Sequence, residues 1–113
     1  MADRVGLLQG TLEFLILQSL RGDEERHGFG VLRWIRDASE GALQIEEGAL
    51  YPALHRLERK GWVSSEWGLS EKNRRAKFYS LTGPGLRQLE RQEADWAEYV
   101  EVVSRVLVFA KGA

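Results

Sequence analysis

Apolar side chains recur along this chain with two periods, and the switch between them marks out its elements. Leu7, Leu8, Leu12, Leu15, Ile16 and Leu20 share a helical stripe, which predicts a first helix from about Leu8 to Arg21. Gly22-Asp23-Glu24-Glu25 interrupts it. A second helix is expected from roughly Gly28 to Ser39, with Phe29, Leu32 and Ile35 facing inward and Gly41 as its stop. The third runs from about Glu46 to Lys60 on a stripe of Leu50, Leu54 and Leu57. Gly61 then stands where a left-handed C-terminal residue is wanted. Pro52 opposes the carbonyl of Gly48, and that glycine leaves the backbone room to adjust, so a bent or tightened first turn is expected.

The period then shortens. Residues 62–67 and 77–81 are aromatic and β-branched runs of strand length. Between them, Gly68 to Ala76 is polar and too long for a tight hairpin turn, so it reads as an extended basic wing tip. Thr82 is expected to cap a last helix, with Gly83 and Pro84 in its first turn. From there Leu86, Leu89, Glu93, Trp96, Val100, Val103, Leu107 and Ala110 keep a heptad pattern broken only at Glu93. A helix from Gly83 to Phe109 would run about 40 Å, more than so small a domain can cover. A second copy of the chain is the simplest partner for its stripe. Leu89, Trp96, Val100, Val103 and Leu107 are therefore the expected dimerisation residues. The alternative is that the helix folds back on the first and the stripe is core.

The elements add up to an α+β, mainly α chain: a winged helix-turn-helix over residues 1–82 and a dimerisation helix over 83–113, together one compact unit. A length of 113 residues suits one domain, and 43% apolar with 29% charged residues is an ordinary globular composition. There is no membrane-length apolar run and no readable secretory signal, so a cytoplasmic protein without a membrane role is expected. Zero cysteines exclude disulfides and thiolate metal sites. With two well-separated histidines, no glycine-rich phosphate loop and no recognisable nucleophile, no catalytic residue, metal site or cofactor is expected. Adjacent Glu46 and Glu47 diverge by about 100° on a helix and do not share a site; they suit its N-terminal dipole.

Charge changes the picture more. The chain as a whole is at −1, yet residues 55–78 hold seven Lys/Arg against three acids, a net of +4. Residues 1–54 stand at −4 and residues 79–113 at −1. Positive charge gathered in one segment is the footprint of phosphate contact. In a winged helix-turn-helix the third helix enters the major groove and the wing meets backbone or minor groove. Opposite the leucine stripe, that helix offers Glu47, Tyr51, His55, Arg56, Arg59 and Lys60. Tyr51 either bonds a phosphate, packs on a thymine methyl, or is partly core; His55 reaches a base edge or a phosphate. Lys72, Arg74, Arg75 and Lys77 cluster on the wing, where an arginine entering a narrow minor groove is a known device.

With these residues in view the chain resembles the PadR family of bacterial transcriptional regulators. The likeness rests on LLQGTLEFLILQSL, RHGFGVLRWI, SEGAL, EEGALYPALHRLERKGWVSSEW, NRRAKFYSLTGPG and a tryptophan-bearing last helix, from about Leu8 to Leu107. The resemblance implies a homodimer that binds double-stranded DNA at an inverted-repeat operator, usually as a repressor. In some small members the dimer leaves a central channel where flat aromatic compounds stack on tryptophans. By motif position Trp96 is that ligand-binding tryptophan, and a small aromatic effector is implied. Glu93, one turn earlier, either rims the channel and favours cationic ligands or faces water.

Two departures matter. Many relatives carry Ser or Thr where this chain has Glu46 and Ala49, so hydroxyl contacts to phosphate are lost at that end. The first helix offers no Lys/Arg between Gly6 and Leu20, leaving Arg4 on that side. The competing reading is a winged-helix protein–protein interaction module without specific DNA binding.

Overall fold

A computed structural model describes residues 10–22 and 24–112. In chain order the elements are α1 (Leu12–Ser19), β1 (Arg26–His27), α2 (Gly28–Ala38), α3 (Glu47–Arg59), β2 (Val63–Leu69), β3 (Arg75–Leu81) and α4 (Gly83–Gly112). The three strands form one antiparallel sheet in the order β1-β3-β2. Three helices against a small sheet make a winged helix-turn-helix head, from which α4 extends.

Helix α1 is shorter than the stripe suggested. Its expected start at Leu8 and the stripe residue Leu7 lie outside the described residues, as does Arg4. At the other end, the amides of Leu20 and Arg21 bond the carbonyls of Leu17 and Gln18, which closes the helix with a tightened last turn. Ile16, Leu17 and Leu20 are fully buried. Strand β1 is two residues long and had no signal in the sequence, since alternation needs more than two positions. It pairs Arg26 with Tyr79 and His27 with Phe78. His27 also caps α2: its Nδ1 accepts from the Gly30 amide at 3.1 Å.

The inner face of α2 is Gly28, Val31 and Ile35 rather than the one led by Phe29. Six residues before Ile35, Phe29 is rotated about 120° away on a helix, and it is 56% exposed. Leu32 packs partly against the core. The helix ends at a left-handed Glu40 (φ 52°) ahead of Gly41 (φ 83°).

Helix α3 buries Leu50, Ala53, Leu54 and Leu57 completely. Pro52 is accommodated inside it, and the Glu46 carbonyl accepts from both Ala49 and Leu50. The first turn is thus tightened. At the C-terminus Gly61 is left-handed (φ 77°), its amide bonds the Glu58 carbonyl, and the Trp62 amide returns to the Leu57 carbonyl at 3.0 Å. That is a Schellman stop, and it turns the chain directly into β2.

The wing is a tighter hairpin than its polar sequence suggested. Pairing continues through Trp67↔Lys77, Gly68↔Ala76 and Leu69↔Arg75, so only Ser70 to Arg74 make the tip. A ladder needs backbone donors and acceptors rather than apolar side chains, which is why polarity misplaced its end. Asn73 turns the tip in the left-handed region (φ 59°), and the Ser70 amide bonds the Arg74 carbonyl at 2.8 Å.

Thr82 joins wing to arm. Its hydroxyl donates to the Gly61 carbonyl at 2.6 Å and accepts from the Gly85 amide at 3.0 Å. Gly85 lies so close to β2 that a Cβ there would collide with the Trp62 carbonyl oxygen. The last fully buried residue of α4 is Leu89. From there the 30-residue helix projects, giving the molecule a long axis of 59 Å against 35 and 22 Å. No helix among the described residues is long and apolar enough to cross a membrane.

Candidate nucleic-acid interface

Helix α2, helix α3 and the wing enclose an open groove of about 740 Å³. Tyr51 and His55 enter it from α3, and Lys72, Arg74, Arg75 and Lys77 from the wing. The Schellman stop at Gly61 makes this possible, because it folds β2 back beside the helix it follows. Tyr51 is 39% exposed. Its ring edge packs on Gly28, where a Cβ would come within 2.5 Å of the hydroxyl. Burial, and then the Glu47 charge, push the Tyr51 phenol above its ordinary value.

Five groove residues, Trp67, Arg33, Glu71, His27 and Phe29, were not read from sequence as belonging to this face. Trp67 on β2 is 58% exposed, with the Arg75 guanidinium 4.5 Å from its ring centroid and the Lys77 ammonium 6.0 Å away. A ring under two cations holds them at fixed height over the groove. Arg33 of α2 lies 3.4 Å from Glu71 at the wing tip, and Nε2 of His27 is 3.9 Å from the other Glu71 oxygen. Its own backbone amide, then Arg33, keep the Glu71 carboxyl below the usual carboxylate value. Phe29 completes the wall. Trp67 stood within the family-like EW motif; Phe29 carried only a misassigned core signal.

The other basic candidates are not in the groove. Arg56 Nε donates to Glu13 of α1 at 2.8 Å, and Lys60 Nζ to the same carboxylate at 3.2 Å. Both face α1 because they sit on the flank of α3 that packs beside it. Arg59 is exposed, outside the groove lining. Among the described residues, no group of three or more His, Asp or Glu could hold a metal.

The arm separates the remaining candidates. Leu89 is fully buried within the protomer, so it belongs to the head's core and cannot serve a seam between copies; it falls on the one stretch of α4 that lies over α1 and β3. Trp96, Val100 and Leu107 are exposed and Val103 is half-buried. Beside them runs a second exposed apolar stripe, Tyr99, Val102, Val106 and Phe109, the last 78% exposed. The Trp96 ring packs 6.4 Å from Phe14 and 6.3 Å from Tyr99. Gly10, Thr11, Phe14, Gln92, Asp95, Trp96 and Tyr99 line an open recess of about 370 Å³. Glu93 is not part of that recess. Its carboxylate accepts from Gln18 at 3.0 Å and pairs with Arg21 at 2.9 Å, contacts that keep it below its ordinary pKa. Glu93, still partly open to water, ties α4 to the end of α1.

A basic groove between a third helix and a two-stranded wing, carried on a head with a projecting helix, defines the class of winged helix-turn-helix regulators. The chain belongs to the PadR-like family of transcriptional regulators, whose model matches residues 16–91. That match covers the head and the first turns of α4. The fold is similar to a transcriptional regulator from Clostridium thermocellum, 26% identical, with a TM-score of 0.77 over 86% of this chain and 93% of that one. It is also similar to a PadR family transcriptional regulator from Eggerthella lenta, 34% identical, with a TM-score of 0.75 over 88% of this chain and 83% of that one. An uncharacterised protein from Lysinibacillus sphaericus is 27% identical over 100 residues, 88% of this chain and 91% of its own length.

Proposed function

We propose that this protein is a cytoplasmic, homodimeric repressor that binds inverted-repeat operators in double-stranded DNA. The observation that carries the reading is the convergence of Tyr51 and His55 with Lys72, Arg74, Arg75 and Lys77 on one groove. Helix α3 has the side chains to read base edges in the major groove, and the wing has the cations to hold the flanking phosphates. The seam of exposed Trp96, Val100 and Leu107 with half-buried Val103 supports pairing through α4, because an apolar stripe of that length is costly to leave in water. A dimer brings two heads to two half-sites one or more helical turns apart. Repression is the simplest consequence of occupying an operator, which is to exclude other proteins from it.

Selection from random duplexes tests this. The expected product is a palindromic site bound by a dimer, with log Kd rising steeply with log salt. Recovery of no common site, or binding without salt dependence, favours the interaction-module reading instead.

A ligand response belongs to the same proposal. The Trp96–Phe14–Tyr99 aromatic cluster suits a flat aromatic molecule. Titration with planar aromatic cations, followed by tryptophan fluorescence and repeated on Trp96→Ala, checks it; quenching that survives the substitution rules the recess out.

A further inference from the structure

The break in the heptad pattern marks a joint. After Leu89 the helix α4 leaves the core, and Glu93 is the next stripe position, one turn farther out. A leucine there would have continued the seam. A glutamate instead holds two residues at the end of α1, Gln18 at 3.0 Å and Arg21 at 2.9 Å. That end of α1 is itself anchored to the sheet, since the Arg26 Nε of β1 donates to the Ser19 carbonyl at 2.7 Å. Strand β1 pairs with the wing strand β3, and His27 caps α2. Two short steps therefore connect the arm's exit point to the elements that form the basic groove.

We propose that Glu93 fixes the angle between arm and head, and thereby the half-site spacing that the dimer accepts. The inference rests on the homodimeric DNA-binding reading above. Lever length makes the position sensitive. From Glu93 to Gly112 the helix runs nineteen residues, about 28 Å at 1.5 Å per residue. A rotation of about 10° at the joint displaces its far end by roughly 5 Å. The rise per base pair is about 3.4 Å, so so small a change shifts the register by more than one pair, and two heads double it. The two bonds are charge-assisted and convergent on one carboxylate, which resists rotation in two directions where a single contact would permit a swing.

The experiment uses the full chain with Glu93→Ala, Glu93→Gln, and the charge-reversed pair Arg21→Glu with Glu93→Arg. Duplexes carry the selected half-sites at the preferred spacing and at one pair more or fewer, and a single half-site serves as reference. Wild-type protein is expected to discriminate among the spacings. Glu93→Ala should flatten that discrimination about two- to fivefold, the range an exposed charged tie can supply. Its dimerisation and single-half-site affinity should stay unchanged. Glu93→Gln, which keeps an acceptor for Gln18 but not the ion pair, should fall between, and the reversed pair should recover part of the preference. A Glu93→Ala protein that melts lower yet keeps the wild-type spacing preference overturns the proposal and leaves the angle to the Phe14–Trp96 packing. A wild-type chain that is monomeric, or indifferent to paired sites, removes the functional reading and this inference with it.

Discussion

Arg56 Nε donates to the Glu13 carboxylate across the α1–α3 interface at 2.8 Å, between residues 43 apart in the chain. Lys60 shares the same acid. Two of the three bases at the end of α3 are thus fastened to the head. Arg56→Ala or Lys60→Ala should leave the salt slope of DNA binding nearly unchanged while lowering stability by about 0.5 kcal/mol, since both cations are partly exposed and screened. Burial raises the Glu13 pKa, but the bonds and charges of Arg56 and Lys60 outweigh it, so the folded value lies below the ordinary 4.5. The stabilisation is therefore present above that value and is lost as pH falls through the folded pKa. Glu13→Gln should lower stability at neutral pH and flatten the acid limb of a pH–denaturation profile.

The wing should behave differently. Arg74→Ala with Arg75→Ala removes two groove cations, and each lost phosphate contact lowers the magnitude of the log K versus log salt slope by roughly 0.9. Weakening should be similar across operator sequences. Fluorescence anisotropy over a salt series reads both quantities, and an unchanged slope would take the wing out of the interface.

Tyr51 and Gly28 form a pair that a single methyl separates. Gly28→Ala should push the ring out of its seat, because the new Cβ falls 2.5 Å from the hydroxyl. Overpacking of this kind costs about 1–3 kcal/mol. The variant should alter operator preference in the same direction as Tyr51→Ala, measured as relative affinity over single-mismatch sites.

Gly85 is predicted to tolerate no side chain. A Cβ would meet backbone rather than a movable side chain, at the Trp62 carbonyl. Gly85→Ala should destabilise by roughly 1–3 kcal/mol in urea unfolding, while Gly112→Ala, in open space, serves as the control.

Val100→Glu with Val103→Glu should convert the dimer to monomer at micromolar concentration. Two like charges would face their copies in an apolar seam, where unpaired burial is costly. Sedimentation velocity distinguishes the outcomes; an undiminished dimer would place the interface on the Tyr99, Val102, Val106 and Phe109 stripe or elsewhere.

What sequence conveyed and what it hid divide along physical lines. Helix α3, its stop at Gly61 and the length of α4 were legible, because a repeated leucine stripe and a glycine after it are local signals. The groove residues Tyr51 and His55 were legible for the same reason: they lie opposite that stripe. Strand β1 was hidden because two residues carry no period, and the wing's true length because backbone pairing ignores polarity. Phe29 misled because hydrophobicity does not tell which of two neighbouring helix faces is covered. The charged ties were the least visible. Glu13 with Arg56 and Gln18 with Glu93 are separated by 43 and 75 residues, and no local pattern announces a partner so distant. Glu93 did leave one trace, a polar residue in an apolar register, whose meaning required the fold.

The segregation of charge has a kinetic consequence. At physiological ionic strength the field of a charge fades over about 8 Å, and the molecule as a whole carries only −1. On the DNA-binding reading proposed above, the molecule as a whole exerts no long-range pull on a duplex, and attraction is concentrated at the basic groove. On that reading such a protein would be oriented by DNA rather than gathered by it, and its bound time would be concentrated on sites where base-edge contacts add to a modest number of phosphates.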